Sequence, residues 1–344
     1  MIILSDSSED LLTCSRLLKK GDIAAIPTET VYGLAANALD EDAVKKIFLA
    51  KGRPADNPLI IHISSTEWFA EYCFPTDEAY MLAKMFWPGP LTMILPKKSV
   101  VPDIVTAGLS SVAVRMPSHP TARKIITLCG FPLAAPSANI SGKPSPTRFE
   151  HIINDLSQNP YVSAAVDGGN CECGVESTVV SLVGEKPCLL RPGAITVDML
   201  KQVLPDITVA DAVLQRLQKN EKALSPGLAH RHYAPDAETV CLTGSASSVL
   251  DYINSHFDKK KTAVLCFDGE EALFSNYITI PYGSPDRPET LAENVFAALR
   301  KADGIKDCEV IYVHTAPPDG MALAVYNRLL RASDFRVINT EENV

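Results

Sequence analysis

Residues 23–34 read IAAIPTETVYGL, an apolar run followed at once by a polar loop. The apolar run Ile23–Ile26 predicts a buried strand. The loop after it carries two hydroxyls and a carboxylate, on Thr28, Glu29 and Thr30, at the strand end where open α/β sheets usually hold their ligands. A turn capped by threonine would explain the same loop, so both interpretations stay open at this point.

Outward from this segment, short apolar runs alternate with helix-like segments through the first half of the chain, which indicates a mixed α/β layer structure. Helices are predicted at residues 9–20 and 40–50, the second capped by Asp40. Because the strands alternate only weakly between polar and apolar residues, we expect them to be covered on both faces. The further strands are predicted at residues 59–63, 91–95, 112–116, 133–135, 162–166 and 178–182.

The regular pattern stops between residues 205 and 235, where Pro226-Gly227 and Ala234-Pro235 are typical of loops. Residues 214–222 could form a short helix within this connector. Strand–helix alternation then resumes, as expected for a smaller α/β domain of Rossmann-like layout, although no G-x-G-x-x-G motif supports a dinucleotide site there. Its strands are predicted at 239–243, 262–266, 277–281 and 309–313, and its helices at 246–257, 288–301 and 320–331.

Composition restricts the classes of function. The formal net charge of −9 argues against a general nucleic-acid binder, which normally needs a basic face. The first ten residues lack the basic region of a secretory signal, and no apolar stretch approaches the roughly 18–20 residues of a membrane span. The nine scattered cysteines predict a reduced, cytoplasmic protein. No metal site is expected, because the Cys171–Cys173 pair lacks a second ligand pair at zinc-site spacing.

Two further segments carry cations beside apolar strands. Lys51 and Arg53 flank a glycine at the end of a predicted helix, and Asn57 follows between two prolines. A guanidinium and an amide in a stiff loop suit phosphate recognition, although basic residues in a last helical turn often only compensate the helix dipole. Arg115 interrupts an apolar strand, so it either pairs with an internal carboxylate or faces a ligand anion.

A hydroxyl-rich loop follows the strand predicted at 133–135. Residues 134–147 read AAPSANISGKPSPT and offer four hydroxyls, an amide and a lysine, which together suit an anion. The loop is not a Walker A motif, since Ser137 replaces the required glycine and Pro144 the required Ser or Thr. Two more polar strand ends are GVEST at residues 174–178 and LRPG at residues 190–193.

These polar segments, taken in their order along the chain, resemble the motifs of the Sua5/YrdC family. The motifs that carry the resemblance are PTETVYGLAANA, AKGRPADNPLIIHI, WPGPLT, TAGLSSVAVRMPSHP, PLAAPSANISGKPSPT, DGG…GVESTVV and LLRPGAI. In addition, SPGLAHRHYAP at residues 225–235 resembles the linker of the longer, two-domain Sua5 form. The resemblance implies a YrdC-like catalytic domain at residues 1–205, with a twisted mixed sheet and a positively lined cavity. It further implies a linker or lid at 206–238 and the Sua5 C-terminal domain at 239–344.

The resemblance also implies a reaction, the synthesis of L-threonylcarbamoyladenylate for the t6A modification of tRNA. The amine of L-threonine captures bicarbonate or CO2, and the resulting carbamate attacks the α-phosphate of ATP and releases pyrophosphate. Mg2+ is expected to share the phosphate charge. The product would pass to a tRNA threonylcarbamoyl transferase.

Site residues follow from the matching motif positions. The threonine or carbamoyl contacts implied by the resemblance are Thr30, His62, Arg115, Ala135 and Ser177. The implied ATP contacts are Arg53, Asn57, Ser111, Ser137, Ser145, Arg191 and His230. Lys51 and Arg53 are the expected catalytic cations, because positioning and charge stabilisation dominate adenylate formation. Where this chain has His230 the family often has tyrosine, so that residue could contact the nucleotide or lie in solvent.

Two other functions compete with this one. A YrdC-type module could bind RNA on a basic concave face without ATP turnover, although the net charge counts against it. A carbamoyl-transfer domain, of the kind fused to hydrogenase-maturation proteins, would use carbamoyl phosphate and would come with zinc-finger modules, which this chain lacks. Strong, salt-dependent RNA binding without ATP turnover would favour the first alternative.

Overall fold

The computed structural model describes residues 1–216, 233–256 and 261–342. Within these residues the strands form two sheets, one of eleven strands with mixed directions and one of five parallel strands. The predicted combination of a mixed α/β sheet with a smaller Rossmann-like unit is therefore confirmed. Among the described helices, none is long and apolar enough to cross a membrane.

The first sheet has the strand order β1-β8-β2-β3-β7-β4-β6-β5-β9-β10-β11. Its strands are β1 (Ile2–Leu4), β2 (Ile23–Ile26), β3 (Gly33–Asn37), β4 (Ile60–His62), β5 (Leu91–Pro96), β6 (Ser111–Arg115), β7 (Leu133–Ala134), β8 (Val162–Val166), β9 (Thr178–Ser181), β10 (Cys188–Arg191) and β11 (Thr208–Val209). Neighbouring pairs are parallel in some places and antiparallel in others: β4 and β6 are parallel, whereas β5 and β6 are antiparallel. Most of the residues in β2 to β10 are buried, as expected for a sheet covered on both faces.

Several of the helices around this sheet begin after a residue whose side chain caps them. They are α1 (Ser8–Lys19), α2 (Glu41–Lys51), α3 (Phe69–Tyr72), α4 (Asp77–Phe86), α5 (Asp103–Thr106), α6 (Pro120–Cys129), α7 (Phe149–Leu156) and α8 (Val197–Lys201), with short 3-10 turns at Thr66–Trp68 and Asp211–Val213. The Asp40 carboxylate accepts hydrogen bonds from two backbone N–H groups and caps α2, as predicted. Gly52 ends α2 with a φ of 61°, a left-handed conformation that glycine adopts without strain, and thereby turns the chain toward Arg53.

The sequence pattern missed four strands of this sheet. The strand β3 lies inside the segment interpreted as a ligand loop, where it pairs with β2 in an antiparallel ladder. It is built from Gly, Leu, Ala, Ala and Asn, which have low strand propensity and no clear alternation. The short edge strands β1 and β11 and the strand β10 also escaped the pattern. Because β11 pairs with β10, the first sheet extends beyond residue 205. The short helix predicted at 214–222 lies mostly outside the described residues.

The second sheet has the order β14-β13-β15-β12-β16. Its strands are β12 (Glu238–Thr243), β13 (Thr262–Cys266), β14 (Ile278–Pro281), β15 (Val310–His314) and β16 (Val337–Asn339), and its helices are α9 (Ala246–His256), α10 (Pro288–Asp303) and α11 (Ala322–Ala332). The predicted strands and helices of this half are all present, each within two residues of its predicted ends. Only β16 was not predicted.

The two sheets meet through the loops of the first and the helices of the second. Val31 and Val175 belong to the same buried apolar cluster as residues of α10 and α11. At Gly174, a Cβ atom would lie 2.3 Å from the carbonyl oxygen of Ala292 in α10, so only glycine allows this approach. The loops that end the first sheet are therefore covered by the second unit.

Candidate active site

A cleft lies where several strand ends of the first sheet come together. It is lined by Thr30, Val31, Arg53, Pro58, Leu59, Ile60, His62, Arg115, Ala135, Pro136, Ser137, Glu176, Ser177, Arg191 and Tyr233. The parallel pairing of β4 with β6 places His62 directly beside Arg115. The loops after α2, β2 and β7, the approach to β9 and the end of β10 supply most of the other walls. Segments that are far apart in sequence thus form one polar concavity.

Most of the residues expected at the site are in this lining. The eight expected residues found there are Thr30, Arg53, His62, Arg115, Ala135, Ser137, Ser177 and Arg191. Lys51, Asn57, Ser111 and Ser145 are not in the lining, and His230 lies outside the described residues. The three arginines make the cleft cationic although the whole chain is acidic.

Arg115 both pairs with an internal carboxylate and faces the cleft, which are the two alternatives that the sequence left open. Its guanidinium forms a buried ion pair with Glu29, 2.7 Å from nitrogen to oxygen, and donates a hydrogen bond of 2.9 Å to the Thr30 hydroxyl. Burial alone would raise the pKa of Glu29, but Arg115 holds it below its usual value. The guanidinium also lines the cleft, so it is oriented by Glu29 and still available to an anion.

The threonine-rich loop is likewise both a turn and a cleft wall. The Thr28 hydroxyl donates to the Val31 carbonyl over 2.6 Å and lies 2.9 Å from the Thr30 hydroxyl. This turn fixes Thr30 against Arg115. The structural and the ligand-binding interpretations of the loop are therefore compatible.

His62 is a buried, neutral imidazole at the floor of the cleft. Burial and the neighbouring Arg115 lower its pKa to about 3. Among the described residues, its Nδ1 atom has no hydrogen-bond partner. The ring can therefore exchange a hydrogen bond with a ligand without adding charge to a cleft that already contains three arginines.

The buried His62 predicts acid-sensitive stability. The unfolded chain binds a proton at this histidine below pH about 6.5, whereas the folded protein does not until about pH 3, so stability falls as the pH falls through this window. When the pH is lowered from 7.5 to 5.5, the unfolding free energy of the parent chain should fall. That of the His62→Gln variant should fall by about 1.4 kcal/mol less. Urea unfolding at both pH values measures this difference.

The control for this measurement is His256→Gln, since His256 is exposed at the end of α9. This variant should show the same loss of stability on acidification as the parent chain. An equal loss in the His62→Gln variant would mean that His62 accepts a proton in the folded state, contrary to its burial.

Lys51 and Arg53 occupy different positions although both were expected to face phosphate. The Lys51 ammonium is buried and donates to the carbonyl oxygens of Ser137 and Asn139, each over 2.5 Å. Burial lowers the pKa of Lys51 well below its usual value. Lys51 therefore holds the hydroxyl-rich loop from behind and does not line the cleft. The role of Lys51 as a catalytic cation stays a prediction.

Arg53 lines the cleft and is fixed by its own loop. Its Nε and Nη2 atoms donate to the carbonyl oxygens of Asn57 and Pro58, over 3.3 Å and 3.0 Å. Burial and the nearby Arg191 lower its pKa to about 10, so the guanidinium stays charged at neutral pH. Beside it, the Asn57 side chain is buried, and neither its oxygen nor its nitrogen finds a partner among the described residues. These two groups suit a polar ligand.

Ser111 is not in the lining of the cleft. It begins β6, whereas Arg115 ends that strand, and four residues of a strand span about 13 Å. Ser111 lines a small cavity that shares Pro58 and Leu59 with the cleft. Its role as an ATP contact stays a prediction.

Glu176 is a cleft residue that the sequence analysis did not select. Its Oε1 atom accepts a hydrogen bond of 2.5 Å from the Ser145 hydroxyl, which links Ser145 to the cleft indirectly. Next to it, Arg191 donates to the Ser177 carbonyl and hydroxyl over 3.0 Å and 3.1 Å. Glu176 stands inside the quoted motif GVEST, so its carboxylate at a strand end was the signal that could have identified it.

Tyr233 forms the outer wall of the cleft, at the beginning of the range 233–256. Its ring lies 5.0 Å from that of Phe296 in α10, and the neighbouring Ala234 N–H donates to the Gly142 carbonyl over 2.8 Å. Lys143 pairs with Asp236 over 2.6 Å and so also holds this segment. The end of the linker is thus anchored beside the cleft.

The cleft is narrow in this conformation, with a volume of about 60 Å3. Ligand pockets usually measure roughly 300–1,000 Å3, so the expected nucleotide and amino acid would fit only after the walls move apart. A larger cleft of about 460 Å3 lies between α7 and α10, but it contains none of the expected site residues. Among the described residues, no group of three or more His, Cys, Asp or Glu side chains could hold a metal ion.

Together, the fold and the cleft define a class of two-domain α/β proteins in which a parallel-sheet unit covers a cationic cleft in a mixed sheet. Residues 16–193 match the Sua5/YciO/YrdC family model, described as telomere recombination. Residues 195–334 match the model described as threonylcarbamoyl-AMP synthase, C-terminal domain. The chain belongs to the Sua5/YrdC family, as its motifs indicated.

Similar proteins cover nearly the whole chain. The threonylcarbamoyl-AMP synthase of Pyrococcus abyssi is 45% identical, over 93% of this chain and 93% of its own length. That of Bacillus subtilis is 42% identical, over 97% and 96%. The crystal structure of Pyrococcus abyssi Sua5 complexed with L-threonine matches with a TM-score of 0.90 and 42% identity, over 98% of this chain and 99% of that one.

Proposed function

We propose that this protein is an L-threonylcarbamoyladenylate synthase, a nucleotidyltransferase that makes threonylcarbamoyl-AMP and pyrophosphate from L-threonine, bicarbonate or CO2, and ATP. The observation that carries the proposal is the convergence of Arg53, Arg115 and Arg191 on one cleft beside the Thr30 hydroxyl, in a chain of this family. Such a cleft suits a reaction between two anions, a carbamate and a phosphate.

L-Threonine binds at the end of the cleft formed by β4 and β6. The oriented Arg115 guanidinium pairs with its carboxylate, and Thr30 with His62 supplies neutral hydrogen-bonding groups. Ala135 and Ser177 form the neighbouring walls. Because His62 is neutral, it does not repel the ammonium or amine of the substrate, which must be deprotonated before it captures CO2.

ATP binds in the adjoining part of the cleft, which Arg53, Ser137 and Arg191 line. Arg53 stabilises the charge that develops on the α-phosphate and on the leaving pyrophosphate. The support for this placement is the fixed, charged guanidinium beside an Asn57 amide whose polar atoms have no partner among the described residues. Lys51 and Ser145 act from behind the wall, by holding the loop and Glu176.

Mg2+ arrives with ATP as part of the substrate. The two carboxylates near the cleft, Glu29 and Glu176, are each paired with an arginine, which leaves no set of free carboxylates for a resident ion among the described cleft residues. Mg2+ commonly binds nucleotides through phosphate oxygens and water with few protein ligands. The protein contributes by aligning the carbamate with the α-phosphate and by excluding water.

The remaining proposals concern the domain boundaries, the cellular location and the use of the product. We place the catalytic domain at residues 1–205 with the strand β11 added to its edge, the linker or lid up to residue 238, and the C-terminal domain at 239–344. All nine cysteines are free, which supports a reducing, cytoplasmic location. The product serves the t6A modification of tRNA through a tRNA threonylcarbamoyl transferase.

Product analysis tests the proposed function. The full chain, incubated with ATP, Mg2+, bicarbonate and L-threonine, should release pyrophosphate and yield threonylcarbamoyl-AMP by mass spectrometry, and omission of any one substrate should abolish the product. The competing RNA-binding function predicts tRNA binding that weakens steeply with salt, without this product. That result would replace the proposal; weak tRNA binding accompanied by turnover would add a second property.

A further inference from the structure

Glu176 is held by an arginine from the other domain. Arg328, in α11, has no exposed surface, and its Nε atom donates to Glu176 Oε2 over 2.8 Å. Its Nη2 atom donates to the Glu176 carbonyl over 3.2 Å, and Nη1 donates to the Pro192 carbonyl over 2.9 Å. One guanidinium therefore joins the approach to β9 and the segment after β10, two walls of the cleft.

Glu176 also contacts a group that we propose to hold ATP. Its second carboxylate oxygen accepts a hydrogen bond from the Ser145 hydroxyl. Burial alone would raise the pKa of Glu176, but Arg328 and Arg191 hold it below its usual value, so the group is a buried carboxylate between two cations. Arg191 donates to the carbonyl and hydroxyl of the adjacent Ser177 and lines the same cleft, so it is the cation that remains beside this carboxylate when Arg328 is removed.

We propose that Arg328 is a positioning residue of the nucleotide site: it engages Glu176 from the C-terminal domain and so keeps Arg191 and Ser145 available to ATP. The proposal rests on the proposed function and extends it, because it makes the C-terminal domain a component of the site. Leaving a buried charge without its partner is strongly unfavourable, so the arrangement depends on the two domains staying joined.

The test compares ATP and L-threonine binding in the full chain by calorimetry. Arg328→Met should weaken ATP binding about tenfold or more, the effect typical of losing a hydrogen bond to a charged group, and should change threonine binding much less. Adding Glu176→Gln removes the carboxylate that would capture Arg191. The double variant should therefore bind ATP more tightly than Arg328→Met alone.

Asp155→Asn is the matched control. Asp155 forms another ion pair between the domains, with Arg300 over 2.6 Å, and neither residue is in the cleft lining. The variant keeps Arg300, whose hydrogen bond to the Pro144 carbonyl lies next to Ser145. This variant should lower the melting temperature and leave the ATP affinity within about twofold. If Arg328→Met does not fold, Arg328→Lys keeps a positive charge without the forked contacts and should show the same preferential loss of ATP affinity.

Equal weakening of both substrates, or no recovery in the double variant, would overturn the positioning role and leave Arg328 as a structural contact. These binding measurements do not depend on turnover. A parent chain that binds ATP and threonine but makes no threonylcarbamoyl-AMP would instead refute the proposed function, so the two failures are distinguishable.

Discussion

Arg53→Ala is expected to reduce threonylcarbamoyl-AMP formation about 10²-fold or more, the loss typical of removing one preorganised donor from a charge-stabilising site. Arg53 lines the cleft, stays protonated at neutral pH, and is fixed by the carbonyl oxygens of Asn57 and Pro58. Alanine removes a cation that needs no reorganisation when charge develops on the phosphates. The rate of pyrophosphate release at saturating substrates measures the effect.

Two further variants define the cause of that loss. Arg53→Lys keeps a charge but cannot reproduce the forked geometry, so it should recover only part of the rate. Arg16→Ala removes an exposed arginine from α1 and should leave the rate unchanged. Turnover like that of the parent chain in Arg53→Ala would exclude the role assigned to this arginine.

The sequence predicted the second domain more completely than the first. Its strands alternate with helices of regular 3.6-residue periodicity, and most of its parallel strands have a central apolar run, so pattern and structure agree within two residues for every predicted element. In the first domain, β3 was missed because its small residues gain their strand conformation from pairing with β2 and β7. Tertiary pairing of this kind leaves no local pattern to detect.

The residues of the candidate site were also predicted only in part. Residue type and local context were sufficient to select Arg53, which lies in a stiff loop after a helix, and Arg115, which interrupts an apolar strand. An arginine in such a strand is seldom buried without a partner or a ligand. They did not reveal that Lys51 donates to carbonyl groups behind the wall, or that Ser111 lies at the far end of β6. Arg328 could not be selected at all, because its proximity to Glu176 depends on how the two domains meet.

Truncation after Leu214 is expected to lower kcat/KM for ATP about 10²-fold or more, since small misplacements of catalytic groups carry penalties of that size. A cut after Gly193 would be less informative, because α8 and β11 complete the first sheet and Leu200 belongs to its core. Truncation after Leu214 keeps all eleven strands. It removes Arg328 from Glu176 and the apolar cover from the loops that form the cleft.

The truncated chain retains all eight expected residues of the cleft lining and loses Tyr233 from that lining, together with His230 of the linker. A loss of activity with an intact circular dichroism spectrum and cooperative melting would therefore come from lost positioning or from these lost contacts, and the next variant separates the two. In that background Glu176→Gln should raise the residual kcat/KM, because it removes the unpaired carboxylate beside Arg191. Unchanged kinetics after truncation would mean that the first domain organises its cleft without help from α11.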